Sequence, residues 1–283
     1  MCELFAMSSG SPTNVHYSLE EFSRRGGLAG PHKDGWGIAY YLDGDVRLVK
    51  EAEPASDSAC IRFLQERPFS SELVVSHIRR ATQGVRKVRN CQPFTRELGG
   101  AMHVFAHNGD LDWVRLTAHL PLGSYHPVGE TDSEYAFCAL LERLRALWLA
   151  TDGVPALEDR LVIVSNFAAE IREFGPANFL YADGDALFAH GHKRTQGQAG
   201  IRPPGLHVLH RRCAPSEAVL ETPGLTIESP DASQHVALFA SIPLTSDPGW
   251  QALDEGELLA VRHGRVVARM SAEAAILSPG TLR

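Results

Sequence analysis

Apolar residues recur along this chain in two patterns: short β-rich runs broken by turn residues, and a few longer stretches with helical spacing. "WGIAYYLDGDVRLVK" predicts a hairpin, two apolar runs joined at Asp43-Gly44-Asp45, where Asp and Gly tolerate the positive φ of a tight turn. "NFLYADGDALFAHG" repeats that logic around Asp183-Gly184-Asp185. "ELVVSHIRR" and "AMHVFAHNG" predict strands that run into polar residues at their ends. "LHVLHRR", "HVALFAS" and "GELLAVRHGRVVARM" add strands late in the chain.

Helical signals lie between these groups. Ser18 with Glu21 fits a capping box, and Gly26-Gly27 closes the short helix behind it. Thr131 with Glu134 fits a second box, behind which Phe137, Leu140, Leu141, Leu144 and Trp148 fall on one helical face. A third helix is expected over residues 156–174, stopped by Gly175-Pro176. Many hairpins with few long helices, and no regular β-α alternation, predict antiparallel sheets in an α+β layered fold. No internal repeat, low-complexity linker or composition shift divides the chain, so one domain over residues 1–283 is expected, its last ten or so residues forming a tail.

With 44% apolar and 22% charged residues the chain can bury a large core. A net charge of −7 argues against a general nucleic-acid binder. Six basic residues and no acidic ones lie between Arg79 and Arg96, which reads as a solvated loop with Arg79 set apart by its motif. The five cysteines (Cys2, Cys60, Cys91, Cys138 and Cys213) are scattered and include no Cys-x-x-Cys pair, so neither a zinc site nor a disulfide framework is signalled. No secretory signal and no apolar run near the roughly 18 residues of a membrane span is visible. A cytoplasmic protein with free thiols, and no metal or cofactor signalled, is the resulting expectation.

Four stretches place reactive residue types where elements end. Cys2 is an ordinary terminal thiol if Met1 stays. If Met1 is removed, Cys2 joins a thiol to an α-amine whose pKa of about 7.7–8.0 suits a base. In "SHIRRATQG", His77 and Arg79 share a strand face and Arg80 opposes them; Arg79 is either a surface arginine or a bidentate carboxylate grip. "FAHNGDL" reads as a tight turn at Asn-Gly, or as an amide and an N–H offered to an oxyanion. In "GETDSE", Asp132 either serves the helix dipole or binds an ammonium group.

Taken in this order, the four stretches resemble the class-II glutamine amidotransferase domain of the N-terminal nucleophile hydrolases. The resemblance runs through "MC", "RRGG", "DGWGIAYY", "SHIRRATQG", "CQPFTREL", "AHNGDL" and "GETDSE". It is strongest to the short stand-alone branch, whose members share "GPHKDGWG", "PVGETDSE" and a tail similar to "IPLTSDPGWQALDEGELLAV". It implies a four-layer αββα sandwich with two antiparallel sheets between helical layers. It implies that Met1 is removed and that Cys2 attacks glutamine to form a γ-glutamyl thioester, with Asn108 and Gly109 as the oxyanion hole. Arg79 would take the α-carboxylate and Asp132 the α-ammonium; Arg25, Gly26 and Thr82 would support the pocket, and His107 would position rather than act as a base.

Two positions depart from the pattern. Gln83 and Gln92 stand where relatives often carry histidine. No synthase segment follows about residue 270, so a separate acceptor subunit or simple hydrolysis is expected. A γ-glutamyl peptide, for example a thiol conjugate, would present the same head group as glutamine. A module that senses glutamine or binds a partner without catalysis would keep the fold and retain Met1. An internal Cys-His hydrolase built on Cys91 or Cys138 is the remaining alternative.

Overall fold

The first strand shows how the layers arise. Leu4 and Ala6 point to one side of it and Phe5 and Met7 to the other, the period of two that a strand imposes, and both sets are buried. A strand apolar on both faces must lie between two layers. The computed structural model describes residues 2–17, 33–67, 69–81, 84–213, 219–222, 225–228 and 234–273.

Two sheets, with strands numbered in chain order, form the centre, and every pairing in them is antiparallel. The first runs in space as β15 (Gln251–Ala252), β11 (His207–Cys213), β14 (Gln234–Ala240), β1 (Glu3–Tyr17), β4 (Phe69–Ile78), β2 (Trp36–Leu42) and β3 (Asp45–Glu51). A hairpin of β12 (Val219–Thr222) and β13 (Leu225–Glu228) extends it along the far half of β1. The second sheet runs β17 (Arg265–Met270), β16 (Glu257–Arg262), β8 (Leu187–Gly191), β7 (Ala177–Ala182), β6 (Ala101–Gly109) and β5 (Phe94–Leu98). β9 (Arg194–Thr195) and β10 (Ile201–Arg202) make a separate small ribbon.

Three buried clusters mark three interfaces and hence four layers, the αββα sandwich. Leu4, Val75, Val104, Leu180, Phe239 and Leu259 fill the space between the sheets. Phe105, Phe137, Leu141, Trp148, Phe167 and Phe179 pack the second sheet against α3 (Asp132–Ala150) and α4 (Leu157–Arg172). On the outer face of the first sheet, Phe5, Met7, Trp36 and Leu238 meet Ile61 and Leu64 of α1 (Ala59–Glu66). Each such side chain is worth roughly 1.5–3 kcal/mol when buried. A one-residue slip would expose every other one, so the register is strongly specified.

The hairpins read from Asp-Gly are present: β2 turns into β3 with Asp43 at φ 54° and Gly44 at φ 80°. The helix behind Thr131 buries its whole apolar face, and the third helix lies within the expected span. Its capping box is half formed: Thr131 Oγ1 accepts from Glu134 N at 3.2 Å, but the Glu134 carboxylate instead accepts from Gly129 N at 2.6 Å and pairs with Arg96. α1 and α2 (Trp113–His119), capped by Ser58 and Asp112, were not legible, being too short for a periodic signal. The capping box at Ser18 and Glu21, and the helix stop at Gly26-Gly27, lie outside the described residues, as does the tail beyond residue 273.

Candidate active site

The sheet register gathers five chain segments at one end of the sandwich. Glu3 pairs with Ile78 and Phe5 with Ala240, so the start of β1 lies beside the ends of β4 and β14, and a bond from Asn108 to the Cys2 carbonyl brings the end of β6 to the same place. α3 begins there as well, with Asp132 in its first turn. Cys2, Arg79, His107, Gly109 and Asp132 line a single cleft at this end.

Cys2 is held from both sides. Its Sγ lies 3.2 Å from the backbone N–H of Arg80 and 3.3 Å from the Arg80 carbonyl. Its own carbonyl accepts from Asn108 Nδ2 at 2.5 Å. Burial pushes the Cys2 thiol up, while the Arg80 N–H and the nearby Arg79 guanidinium pull the other way. A thiol held in its neutral form needs a base to become a nucleophile.

Asn108 and Gly109 do not form the tight turn that Asn-Gly ordinarily signals. They remain in β6, facing Asn178 and Ala177 of β7. The sheet override has a local cause: Asn178 Nδ2 donates to the Asn108 carbonyl at 2.9 Å and to the Lys193 carbonyl at 2.8 Å, stitching the strand end down. Gly109 is required by close approach, since a Cβ there would sit 1.8 Å from the Pro176 carbonyl oxygen. The Asn108 amide is fully buried and uses Nδ2 twice, on Cys2 and, at 3.2 Å, on Ser241 Oγ.

Arg79 is buried although it belongs to a basic stretch in which Arg80, Arg86, Lys87 and Arg89 are exposed and Arg96 is half-buried against Glu134. Its guanidinium donates to the carbonyls of Gly84 at 3.1 Å and Asp34 at 3.4 Å. Asp34 in turn accepts from Ala81 N through its carboxylate at 2.8 Å, which fixes the path of the chain after β4. His77, on the same face as Arg79 in the sequence reading, is buried as well.

His107 and Ser133 form a hydrogen-bonded pair beneath the cleft, next to Asp132. His107 Nε2 lies 3.3 Å from the Pro176 carbonyl, which can only accept, so Nε2 carries the proton and Nδ1 accepts from the Ser133 hydroxyl at 2.9 Å. Burial keeps the imidazole below its usual range, and both of its nitrogens are engaged. Burial raises the Asp132 carboxyl, opposed by His107 and by the Leu111 N–H that reaches Oδ2 at 2.8 Å. Gln92, one of the two departures noted above, makes a reciprocal pair with the His107 backbone: His107 N donates to Oε1 at 2.6 Å and Nε2 donates to the His107 carbonyl at 3.1 Å.

Arg25, Gly26, Thr82 and Gln83 lie outside the described residues. The internal cysteines are placed otherwise than a Cys-His hydrolase requires. Cys138 is buried in α3 and its thiol is pushed up to about 12 by burial, and Cys91 Sγ contacts the carbonyls of Glu51 and Lys87. Sequence reading missed Ser241, Asn178 and the bracing role of Gln92. Ser241 directly precedes "IPLTSDPGW", whose motif character was the available signal. A larger cavity, about 650 Å³, opens at the far end of the sandwich between Tyr41, Glu72, Asp183 and His263. Among its polar groups Tyr41 donates to the Met102 carbonyl, Asp183 pairs with Arg160, and Glu72 lies 3.6 Å from His263; it holds none of the groups above.

Comparison with known proteins follows the same outline. The chain matches the model of the class-II glutamine amidotransferases over residues 1–280. It is 36% identical over 260 residues to YafJ of Escherichia coli (strain K12), a protein with the provisional name of glutamine amidotransferase, covering 91% of this chain and 96% of YafJ. It is similar to the crystal structure of a predicted glutamine amidotransferase from Pseudomonas aeruginosa, with 36% identity, a TM-score of 0.72, and coverage of 94% of this chain and 100% of that one. The glutamine phosphoribosylpyrophosphate amidotransferase of Bacillus subtilis shares the fold at 16% identity and a TM-score of 0.57, over 96% of this chain and 49% of that one.

Proposed function

The chain belongs to the class-II glutamine amidotransferase family, and from that membership we propose that it hydrolyses the side-chain amide of glutamine with Cys2 as the nucleophile. The observation that supports this most directly is the convergence of Cys2, Arg79 and Asp132 on one cleft, a sulfur flanked by a cation and an anion. A glutamyl head group has the complementary pair, an α-carboxylate for Arg79 and an α-ammonium for Asp132.

On this reading, removal of Met1 frees the Cys2 α-amine, whose pKa of about 7.7–8.0 lets it accept the thiol proton through a water. The sulfur attacks the amide carbon, a C–S bond forms, and the carbonyl oxygen becomes an oxyanion. Gly109 N–H and Asn108 Nδ2 are the donors assigned to it, Asn108 giving up the longer of its two bonds, the 3.2 Å one to Ser241. Collapse breaks the C–N bond, the ammonium returns its proton to the leaving nitrogen, and ammonia departs. Water, activated by the same amine, then cleaves the thioester to glutamate and restores the thiol. His107 holds Ser133 and the start of α3, and with it Asp132, in place.

The test is to incubate protein lacking Met1 with 6-diazo-5-oxo-L-norleucine and map the adduct by mass spectrometry. One equivalent on Cys2 is expected; a label on any other cysteine, or none, overturns the assignment. Ammonia release from glutamine, set against product release from γ-glutamyl peptides, then decides which leaving group the site prefers.

A further inference from the structure

We propose that Ser241, held in place by Arg194, is a positioning residue that keeps the Asn108 amide aligned with the nucleophile; the proposal rests on the amide hydrolysis argued above. It starts from an irregularity in the sheet. Phe5 pairs with Ala240, so Leu4 and Ser241 are the next pair along β1 and β14. Ser241 N donates to the Leu4 carbonyl at 3.1 Å, as a ladder requires. The reciprocal bond is not made by the Ser241 carbonyl. Leu4 N donates to Ser241 Oγ at 3.0 Å, and the Ser241 carbonyl turns instead to Arg194 Nη1 at 2.7 Å.

This substitution of a hydroxyl for a backbone carbonyl has a consequence at the site. It brings an oxygen to the seam between the two sheets, where Asn108 reaches across from β6 and donates to it at 3.2 Å. One hydroxyl therefore accepts both from the strand that begins with the nucleophile and from the amide that faces it. Ser241, Leu4, Asn108 and Arg194 are all buried, where hydrogen bonds are stronger than in water. Arg194 fixes the peptide that carries the hydroxyl, a charged donor on a carbonyl. Ser241 thus holds the second Asn108 N–H beside Cys2 until an oxyanion takes it, and receives it back when the thioester forms. Alanine would leave the amide held by the Cys2 carbonyl alone, with its second N–H no longer aimed.

The test measures steady-state glutamine hydrolysis by protein lacking Met1. S241A lowers kcat about tenfold, the scale of one neutral hydrogen bond, with KM unchanged. S241T, which keeps the hydroxyl, restores most of the loss. In an Asn108→Ala background S241A costs nothing further, because both act through one amide. An additive loss, a change confined to KM, or full activity in S241A overturns the proposal. Should S241A fail to fold, S241C has nearly the same shape with a weaker acceptor and carries the same expectation. If the unaltered protein hydrolyses neither glutamine nor γ-glutamyl peptides, the proposed function fails while this one remains open to test. Selective ¹⁵N-asparagine labelling then shows whether the Asn108 side-chain amide signals of S241A shift and lose protection from exchange; unmoved signals overturn it.

Discussion

Asn108 donates its side-chain amide to the backbone carbonyl of Cys2 over 2.5 Å, so the donor assigned to the oxyanion is tied to the residue assigned as nucleophile. β6 of one sheet and β1 of the other are joined at the point where the chemistry is placed. Asn108→Ala should lower kcat by roughly 10²–10³ with KM little changed, the cost of one lost oxyanion donor. Steady-state kinetics check it, and an effect seen only in KM would make Asn108 a substrate-binding residue.

Because burial raises the Cys2 thiol, it should be less reactive at pH 7 than an ordinary cysteine while Met1 remains. Only the thiolate reacts, so alkylation of Cys2 by iodoacetamide should keep climbing with pH after a free cysteine has levelled off. Cys2→Ser should abolish most of the turnover. Mass mapping across a pH series reads the first, and fast alkylation at neutral pH in chains that retain Met1 would count against the placement of the thiol.

Asp132 carries a pH signature whose sign follows from its burial. Its carboxyl is raised in the folded state, so the folded chain binds that proton more tightly than the unfolded one. The ionised form therefore costs folding stability above the raised pKa, and that cost fades as pH falls through it. Only the ionised form holds an ammonium group. The acid limb of kcat/KM should thus lie above the ordinary carboxylate range. Asp132→Asn should raise KM roughly 10–100-fold, the loss of one hydrogen-bonded charge pair, while leaving Tm at pH 7 equal or higher. A lower Tm would mean that the carboxylate is a structural anchor.

Gln92→Leu should destabilise the fold by about 2 kcal/mol or more, because it strips partners from a buried N–H and a buried carbonyl of His107. Denaturant titration measures this. A neutral result would show that water replaces the glutamine.

Gly109→Ala should cost about 1–3 kcal/mol through overpacking, since the added carbon would meet the Pro176 oxygen 1.8 Å away and His107 Nε2 at 2.5 Å. Thermal unfolding reads the loss. Activity should fall with it, because relieving the clash moves β6 away from β7.

Hairpins at Asp-Gly and the apolar face of α3 were legible because each is a local pattern, a turn that accepts positive φ or a spacing that repeats. The two short helices were not, since seven or eight residues complete too few turns to show a period. Asn108-Gly109 marks the boundary between the two cases. Its local preference is a turn, and cross-strand pairing with Asn178 and Ala177 overrides that preference.

The candidate residues themselves came from the sequence: Cys2, Arg79, His107, Asn108, Gly109 and Asp132 are distinguished by type and motif before any contact is known. Turn residues between short β-rich runs, and helical spacing behind Thr131, likewise pointed to antiparallel sheets in a layered fold; that β1 is buried on both faces came from the packing. What only the tertiary structure decided is which atoms meet. Ser241 stands 237 residues from Leu4 and 133 from Asn108, yet one hydroxyl serves both. No local pattern encodes that meeting; it exists because sheet register converts distant positions into neighbours, and register is a property of the whole packed core.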